Sequence, residues 1–216
     1  VCAAAVGIYF GATAATKEPS VVYGHAQYVI DIDDPREVSG FVDFVFVGKV
    51  EKENGIKYEA VYNRETVSGA KTTGNPYTGY DITVMENVKG DLKTNDTMLF
   101  WKSGGLSMDG KYITLQEEDF LPEAGQVYMF YANAWEDGTL RILGKGGNVQ
   151  LAESRPAQQT TGQGNSALVQ QAAQNERNSV AQSPLYQELV EACENEIPYQ
   201  RERFTAPAAL LEAPAE

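Results

Sequence analysis

The sequence predicts a mainly β protein: a small closed antiparallel OB-like Greek-key barrel with added hairpins and one C-terminal amphipathic helix. Three observations carry that expectation. Apolar and polar residues alternate with period two between Gly40 and Leu151, turn signals recur there at short intervals, and helical periodicity is confined to the C-terminal end. Roughly seven short strands at this spacing suit a Greek-key barrel better than a parallel sheet. With 216 residues, 43% of them apolar, the chain has room for one domain with extensions or two very small ones, and one barrel with tails is the simpler division.

Val1–Ala15 (VCAAAVGIYFGATAA) is an uncharged, mostly apolar run closed by Lys17-Glu18-Pro19. It has the length of a secretory h-region and falls short of the roughly 20 residues that span a bilayer. An initiator Met and a basic n-region are expected upstream of Val1, and Ala12-Thr13-Ala14 fits a small-x-small signal with processing after Ala14. The alternative is the visible end of an uncleaved membrane anchor. Both readings place the rest of the chain outside the cytoplasm, secreted or at the cell surface. Residues 16–39 then form an N-terminal extension.

The barrel is expected over residues 40–151. Phe41–Val50 (FVDFVFVGKV) is aromatic and β-branched, the strongest strand signal in the chain, with Gly48 placed to allow a bend or bulge. Asn54-Gly55 predicts a two-residue type I′ hairpin into Ile56–Tyr62, because both residues tolerate positive φ. Thr66–Thr78 (TVSGAKTTGNPYT) reads as a long loop. Tyr80–Met85 reads as a second long strand, closed by a turn at Asn87–Asp91. Further strands are expected at Thr97–Trp101, Lys111–Leu115, Gln126–Tyr131 and Thr139–Leu143, with Asp109-Gly110, Leu121–Gly125 and Asp137-Gly138 supplying the turns.

Val45–Val50, the strand running into Val88-Lys89-Gly90, the stretch Leu121–Tyr128 (LPEAGQVY) and Asp137-Gly138 together resemble the netrin-like, tissue-inhibitor-of-metalloproteinase-like OB barrels, and more closely their exported relatives in Gram-positive bacteria. The likeness covers about half the chain and rests on strand and turn signals. It implies a five-stranded OB-type barrel with added hairpins and mostly non-enzymatic roles. The animal inhibitors act through a mature N-terminal cysteine that chelates the protease metal. No cysteine would stand there after cleavage at Ala14, so that activity is not carried over.

Residues 152–182, rich in Gln, Asn, Ser, Thr and Ala, read as a flexible polar connector with a weak helix near 167–175. In the segment 183–205, Ser183-Pro184 is an N-cap with proline at the first helical position. Leu185, Leu189, Cys193 and Ile197, with Tyr186 and Val190 beside them, form the apolar stripe of a helix of about three turns, expected to dock on the barrel. Residues 206–216 read as a disordered tail.

The formal net charge of −13 has no basic segment to offset it. That argues against nucleic acid as a partner, since a phosphate backbone is met by clustered Lys and Arg; membrane contact is expected only through the possible N-terminal anchor. With Cys2 lost to leader cleavage, Cys193 stands alone and the fold cannot depend on an internal disulfide. His25 is the single histidine, so neither a zinc site nor an activated cysteine nucleophile is expected. Asp31, Asp33 and Asp34 lack the glycine of a calcium loop and meet Pro35, so they read as a solvated acidic loop. Glu117-Glu118-Asp119 reads as a charged loop at a strand end. No phosphate-binding glycine loop, nucleophile elbow or paired-cysteine metal motif is present, and no cofactor is expected.

What stands out is aromatic residues beside Gly and Pro turns: Tyr77 after Asn75-Pro76, Trp101 before Lys102-Ser103-Gly104-Gly105, and Trp135 before Asp137-Gly138. Tyr and Trp offer a flat apolar face and a polar tip at small entropic cost. These residues point to a non-catalytic module that binds a protein or a cell-envelope glycan through loops at one barrel end. Two alternatives remain: a hydrolase in which Asp43, Asp81 or Glu117 meet in one cleft, and a structural spacer of a surface assembly.

Overall fold

In a computed structural model of the chain, residues 19–67, 69–152, 174–175 and 177–213 are described. The leader-like run Val1–Ala15, with Cys2, and most of the connector lie outside the described residues, as do residues 167–173 of the weak helix expected there; Gln174 and Asn175 are helical. The protein is mainly β. A three-stranded sheet has the order β1 (Ser20–Gly24), β6 (Tyr112–Gln116), β5 (Gly105–Leu106). The larger sheet contains β2 (Phe44–Thr66), β3 (Gly69–Lys89), β4 (Thr97–Ser103), β7 (Val127–Ala134), β8 (Leu140–Ile142) and β9 (Asn148–Ala152). Its order is β2-β3-β4-β8-β7-β9, and β2 also pairs with β7. Not every pairing is antiparallel as expected: β4 with β8, and β1 with β6, run parallel.

A helix, α1 (Pro35–Phe41), takes the start of the expected Phe41–Val50 strand. The Asp34 carboxylate accepts the Arg36 N–H at 2.9 Å and Pro35 sits in the first turn, so the Asp-Pro pair starts a helix instead of breaking a loop. The strand begins at Phe44 and is buried on both faces through Gly48. Phe44, Phe46 and Val50 join Tyr80, Ile82, Phe100, Tyr128 and Phe130 in one cluster. Val45 and Val47 join Val38, Met85, Val127, Met129 and Tyr131 in a second. Two-sided burial explains why this run is apolar almost without interruption.

Asn54-Gly55 is no hairpin. β2 runs through it, with a register irregularity between Glu53 and Ile56 and Gly55 at φ 77°, while the Asn54 amide donates to Asp81 Oδ1 at 2.6 Å. The chain reverses between Thr66 and Gly69, so residues 69–78, expected as loop, return as β3 beside β2. The β-branched Thr72 and Thr73 serve as strand residues there, and Thr72 Oγ1 donates to Asn63 Oδ1 at 2.9 Å across the ladder. Strand β9 escaped the sequence reading altogether.

The C-terminal helix α2 (Pro184–Glu194) buries Tyr186, Leu189 and Cys193 in the second cluster, and Ala192 is buried too; Leu185 and Ile197, expected on its stripe, are exposed. Residues 206–213 are not a free tail. Ala206 is buried and Leu210 and Leu211 pack on the first cluster, the Lys93 N–H donates to Leu210 O at 2.9 Å, and the Glu212 carboxylate accepts from the Thr94 N–H at 2.7 Å. Ala206, Leu210 and Leu211 add apolar side chains to the first cluster, a role that low sequence complexity conceals.

Candidate binding site

One face of the larger sheet carries a row of alternating rings and cations. Lys57 on β2 pairs across the ladder with Tyr77 on β3, and Trp101 on β4 pairs with Arg141 on β8. Gly79 stands opposite Trp101, and a Cβ there would lie 3.0 Å from the indole, so glycine leaves the room in which the ring lies flat. The Lys57 ammonium sits 4.6 Å from the Trp101 ring centre and 5.7 Å from that of Tyr77. The Arg141 guanidinium lies 5.2 Å from Tyr77 and 4.1 Å from Trp135. Cation over ring face is an attraction of about 0.5–2 kcal/mol each, depending on desolvation.

Carboxylates hold both cations in place. Glu59 accepts from Arg141 at 3.0 Å through each oxygen and from Lys57 at 3.1 Å. Burial pushes the Glu59 carboxyl up, but the Arg141 and Lys57 hydrogen bonds outweigh it and its pKa ends below the ordinary value. Asp137 Oδ1 accepts from the Thr139 N–H and hydroxyl, closing the turn that presents Trp135, and its other oxygen accepts from Arg141 at 3.1 Å. The Thr139 hydrogen bonds, joined by Arg141, hold the Asp137 pKa down at about 2. Arg141 Nε donates to Thr139 Oγ1 at 3.2 Å.

Beyond Trp135 the surface is concave. A cleft of about 380 Å³ is lined by Tyr77, Trp135 and Arg141 together with Phe41, Arg201 and Phe204, with Asn133 and Ser103 also in its wall. Small-molecule sites run from about 300 to 1,000 Å³. Arg201 lies over Phe41, 5.3 Å from the ring centre. Its donors go to Phe41 O and Glu202 O at 2.7 Å, to Asp43 Oδ1 at 2.7 Å and to Asn133 Oδ1.

The structure therefore brings Tyr77 and Trp135 to one cleft and leaves Trp101 at the far end of the ladder, outside the cleft wall. Arg141, Arg201, Phe41 and Phe204 were missed. Arg141 was hidden inside a strand signal, and Arg201–Phe204 follows Pro198 without any periodicity to mark it.

The other candidates are scattered. Asp34 caps α1 and pairs with Arg36, Asp31 accepts the Asp33 N–H, and Asp33 pairs with Lys145. His25 lies at the surface 2.9 Å from Glu117. Asp81 pairs with Lys52, and Asp43 with Arg201 and Arg203, so the three carboxylates offered for hydrolysis have separate partners. Asp119 departs from the charged-loop expectation: it is buried, 2.9 Å from the buried Lys102 ammonium. Among the described residues no group of three His, Cys, Asp or Glu side chains could hold a metal ion, and no helix is long and apolar enough to cross a membrane. No family model matches the chain, and no curated protein matches it.

Proposed function

We propose that this chain is a non-catalytic binding module, working outside the cytoplasm on a closed OB-type barrel, and that it takes its ligand in the Tyr77–Trp135 cleft. One observation carries the reading: two aromatic residues that the sequence marks at separate turns converge on a single concave surface. Glu202 is the one carboxylate among the residues lining it, which removes support from the two-carboxylate hydrolase. The barrel is supported by the pairing order, which runs from β2 through β3, β4, β8 and β7 back to β2, with β4 and β8, the third and fifth of these strands in chain order, parallel as in OB-type barrels. The same order favours the netrin-like resemblance for fold and adds nothing for function. The apolar run Val1–Ala15 supports export.

The test compares Trp135→Ala and Tyr77→Ala with the parent chain in quantitative capture by a cell-envelope fraction. Each truncation is expected to weaken capture by roughly 1–2 kcal/mol, about a tenfold loss, with thermal stability little changed. Losses of about 3–5 kcal/mol in stability for both variants would mark the rings as core and end the cleft reading. A hydrolytic activity abolished by removing one carboxylate would end the binding-module reading.

A further inference from the structure

We infer that the ligand of this cleft is an uncharged saccharide whose apolar ring face stacks on Trp135, an inference that rests on the binding-module reading above.

An anionic ligand needs donors that are free to turn toward it. Four of the five guanidinium N–H groups of Arg141 are committed to Glu59, Asp137 and Thr139, and four of those of Arg201 to Asp43, Asn133 and two carbonyls. Both cations are thus neutralised by carboxylates within the protein, and the chain as a whole carries −13. A cationic ligand would seek the ring faces of Trp135 and Tyr77, but the Arg141 guanidinium already stands against both rings and takes the place such a ligand would fill. An extended peptide binds a sheet by adding a strand to a free edge. β8, which contributes Arg141 and Ile142 to the cleft, is paired on one edge with β4 and on the other with β7, so strand addition has no open ladder there.

What remains is an aromatic face with small polar groups around it. Trp135 is 45% exposed with the guanidinium against its ring, and Ser103, Asn133 and Glu202 line the same cleft. Sugar hydroxyls both donate and accept, and a pyranose ring presents axial C–H groups to an aromatic plane, so this combination of donors, acceptors and an amphipathic ring fits a neutral sugar.

The experiment titrates the intact chain with three probe sets: neutral oligosaccharides of glucose, mannose, galactose and N-acetylglucosamine; uronic-acid oligosaccharides; and proline- and aromatic-rich peptides. Tryptophan fluorescence and saturation-transfer NMR give the readout at low and high salt. At least one neutral oligosaccharide is expected to bind saturably, with Kd changing by less than about twofold across the salt range. Trp135→Ala should weaken it by roughly tenfold or more, Trp135→Tyr should recover part of the loss, and Tyr62→Ala at the exposed β2–β3 hairpin should leave it unchanged. Failure of every neutral probe overturns the inference. If uronic-acid sugars or peptides bind through Trp135 instead, the ligand class is wrong and the binding module stands. If envelope capture is also indifferent to Trp135, the cleft itself is lost as a site.

Discussion

Lys102→Met is the sharpest test of how the interior is built. The side chain is fully buried, and its ammonium donates to Asp119 Oδ1 at 2.9 Å, to Leu143 O at 3.0 Å and to Gly144 O at 2.8 Å, so each of its three protons has an acceptor. Asp119 Oδ1 also takes the Phe120 N–H at 2.8 Å, while Oδ2 finds no hydrogen-bond partner among the described residues. Removing the ammonium leaves a carboxylate without a counter-charge in the interior and two carbonyls without donors. Breaking such a pair from one side costs about 3–5 kcal/mol, a large share of a typical 5–15 kcal/mol domain stability and a fall in Tm of roughly 6–20 °C for a chain of this size. Lys102→Met combined with Asp119→Leu should return to within about 1–2 kcal/mol of the parent, because an apolar pair escapes the desolvation cost of both ions. Urea unfolding with unchanged m-values measures the cycle. Burial also lowers the Lys102 pKa below the ordinary 10.5. Just under that pH the unfolded chain holds the proton more firmly than the native one, so stability rises with pH there, and the rise should vanish from Lys102→Met. Single variants that each cost less than about 1 kcal/mol, or that add without coupling, would refute the picture of a mutually dependent buried pair.

Three other outcomes follow from the same packing. A Cβ at Gly48 would lie 2.7 Å from Ile82 Cγ2, 2.9 Å from Phe46 Cε2 and 3.0 Å from Phe130 Cδ2, so Gly48→Ala should overpack the first cluster by about 1–3 kcal/mol in chemical denaturation, and a neutral result would show that the rings have slack. Burial raises the Cys193 thiol pKa, so it should react slowly with a thiol reagent in the native protein and quickly in denaturant; equal rates would mean that α2 does not stay docked. Asp137, held at about 2 by Thr139 and Arg141, contributes stability that is present above the ordinary 3.8 and is lost as pH falls through about 2. Asp137→Asn should therefore lose part of its stability near neutral pH and show a flatter acid limb than the parent, and parallel acid curves would sink that assignment.

Much of the fold was legible because burial writes a pattern. Strands β4, β6, β7 and β8 lie close to where alternation and turn residues put them. The failures have separate physical causes. Asn54-Gly55 carries the local chemistry of a tight turn, yet the ladder to β3 continues past it, because the pairing Tyr62↔Thr73, Asn63↔Thr72 and Arg64↔Lys71 extends the ribbon on the far side. Thr66–Thr78 has little apolar content because most of this ribbon faces solvent, and exposed strands lose the signal that alternation provides. Asp119 belongs to an acidic triplet by sequence, and only the arrival of Lys102 from another strand makes its burial affordable. The aromatic part of the cleft was readable from local turn chemistry. Its cationic part was not, since no local pattern tells that Arg141 will lie against Trp135 or that Arg201 will reach Phe41.

The cleft depends on a single carboxylate that the sequence offered as a catalytic candidate. Asp43 is 11% exposed in its side chain; one oxygen meets Arg201 and Arg203 at 2.7 Å each, and the other accepts the Ala134 N–H at 3.1 Å. Those three contacts tie together the corner between α1 and β2, the end of β7 next to Trp135, and the C-terminal segment that supplies Arg201 and Phe204. Gly40 completes the junction: a Cβ there would lie 1.8 Å from Ile197 O, so only glycine lets the segment after α2 approach α1 this closely. A carboxylate with two guanidiniums on one oxygen and a backbone N–H on the other is held in one orientation by charge-assisted hydrogen bonds. Its chemistry is that of a clamp. Through Asp43 the segment that brings Arg201 and Phe204 to the cleft is fixed to Ala134, the residue before Trp135. A ligand that stacks on Trp135 would meet a preorganised surface, with little of its binding energy spent on ordering the C-terminal segment.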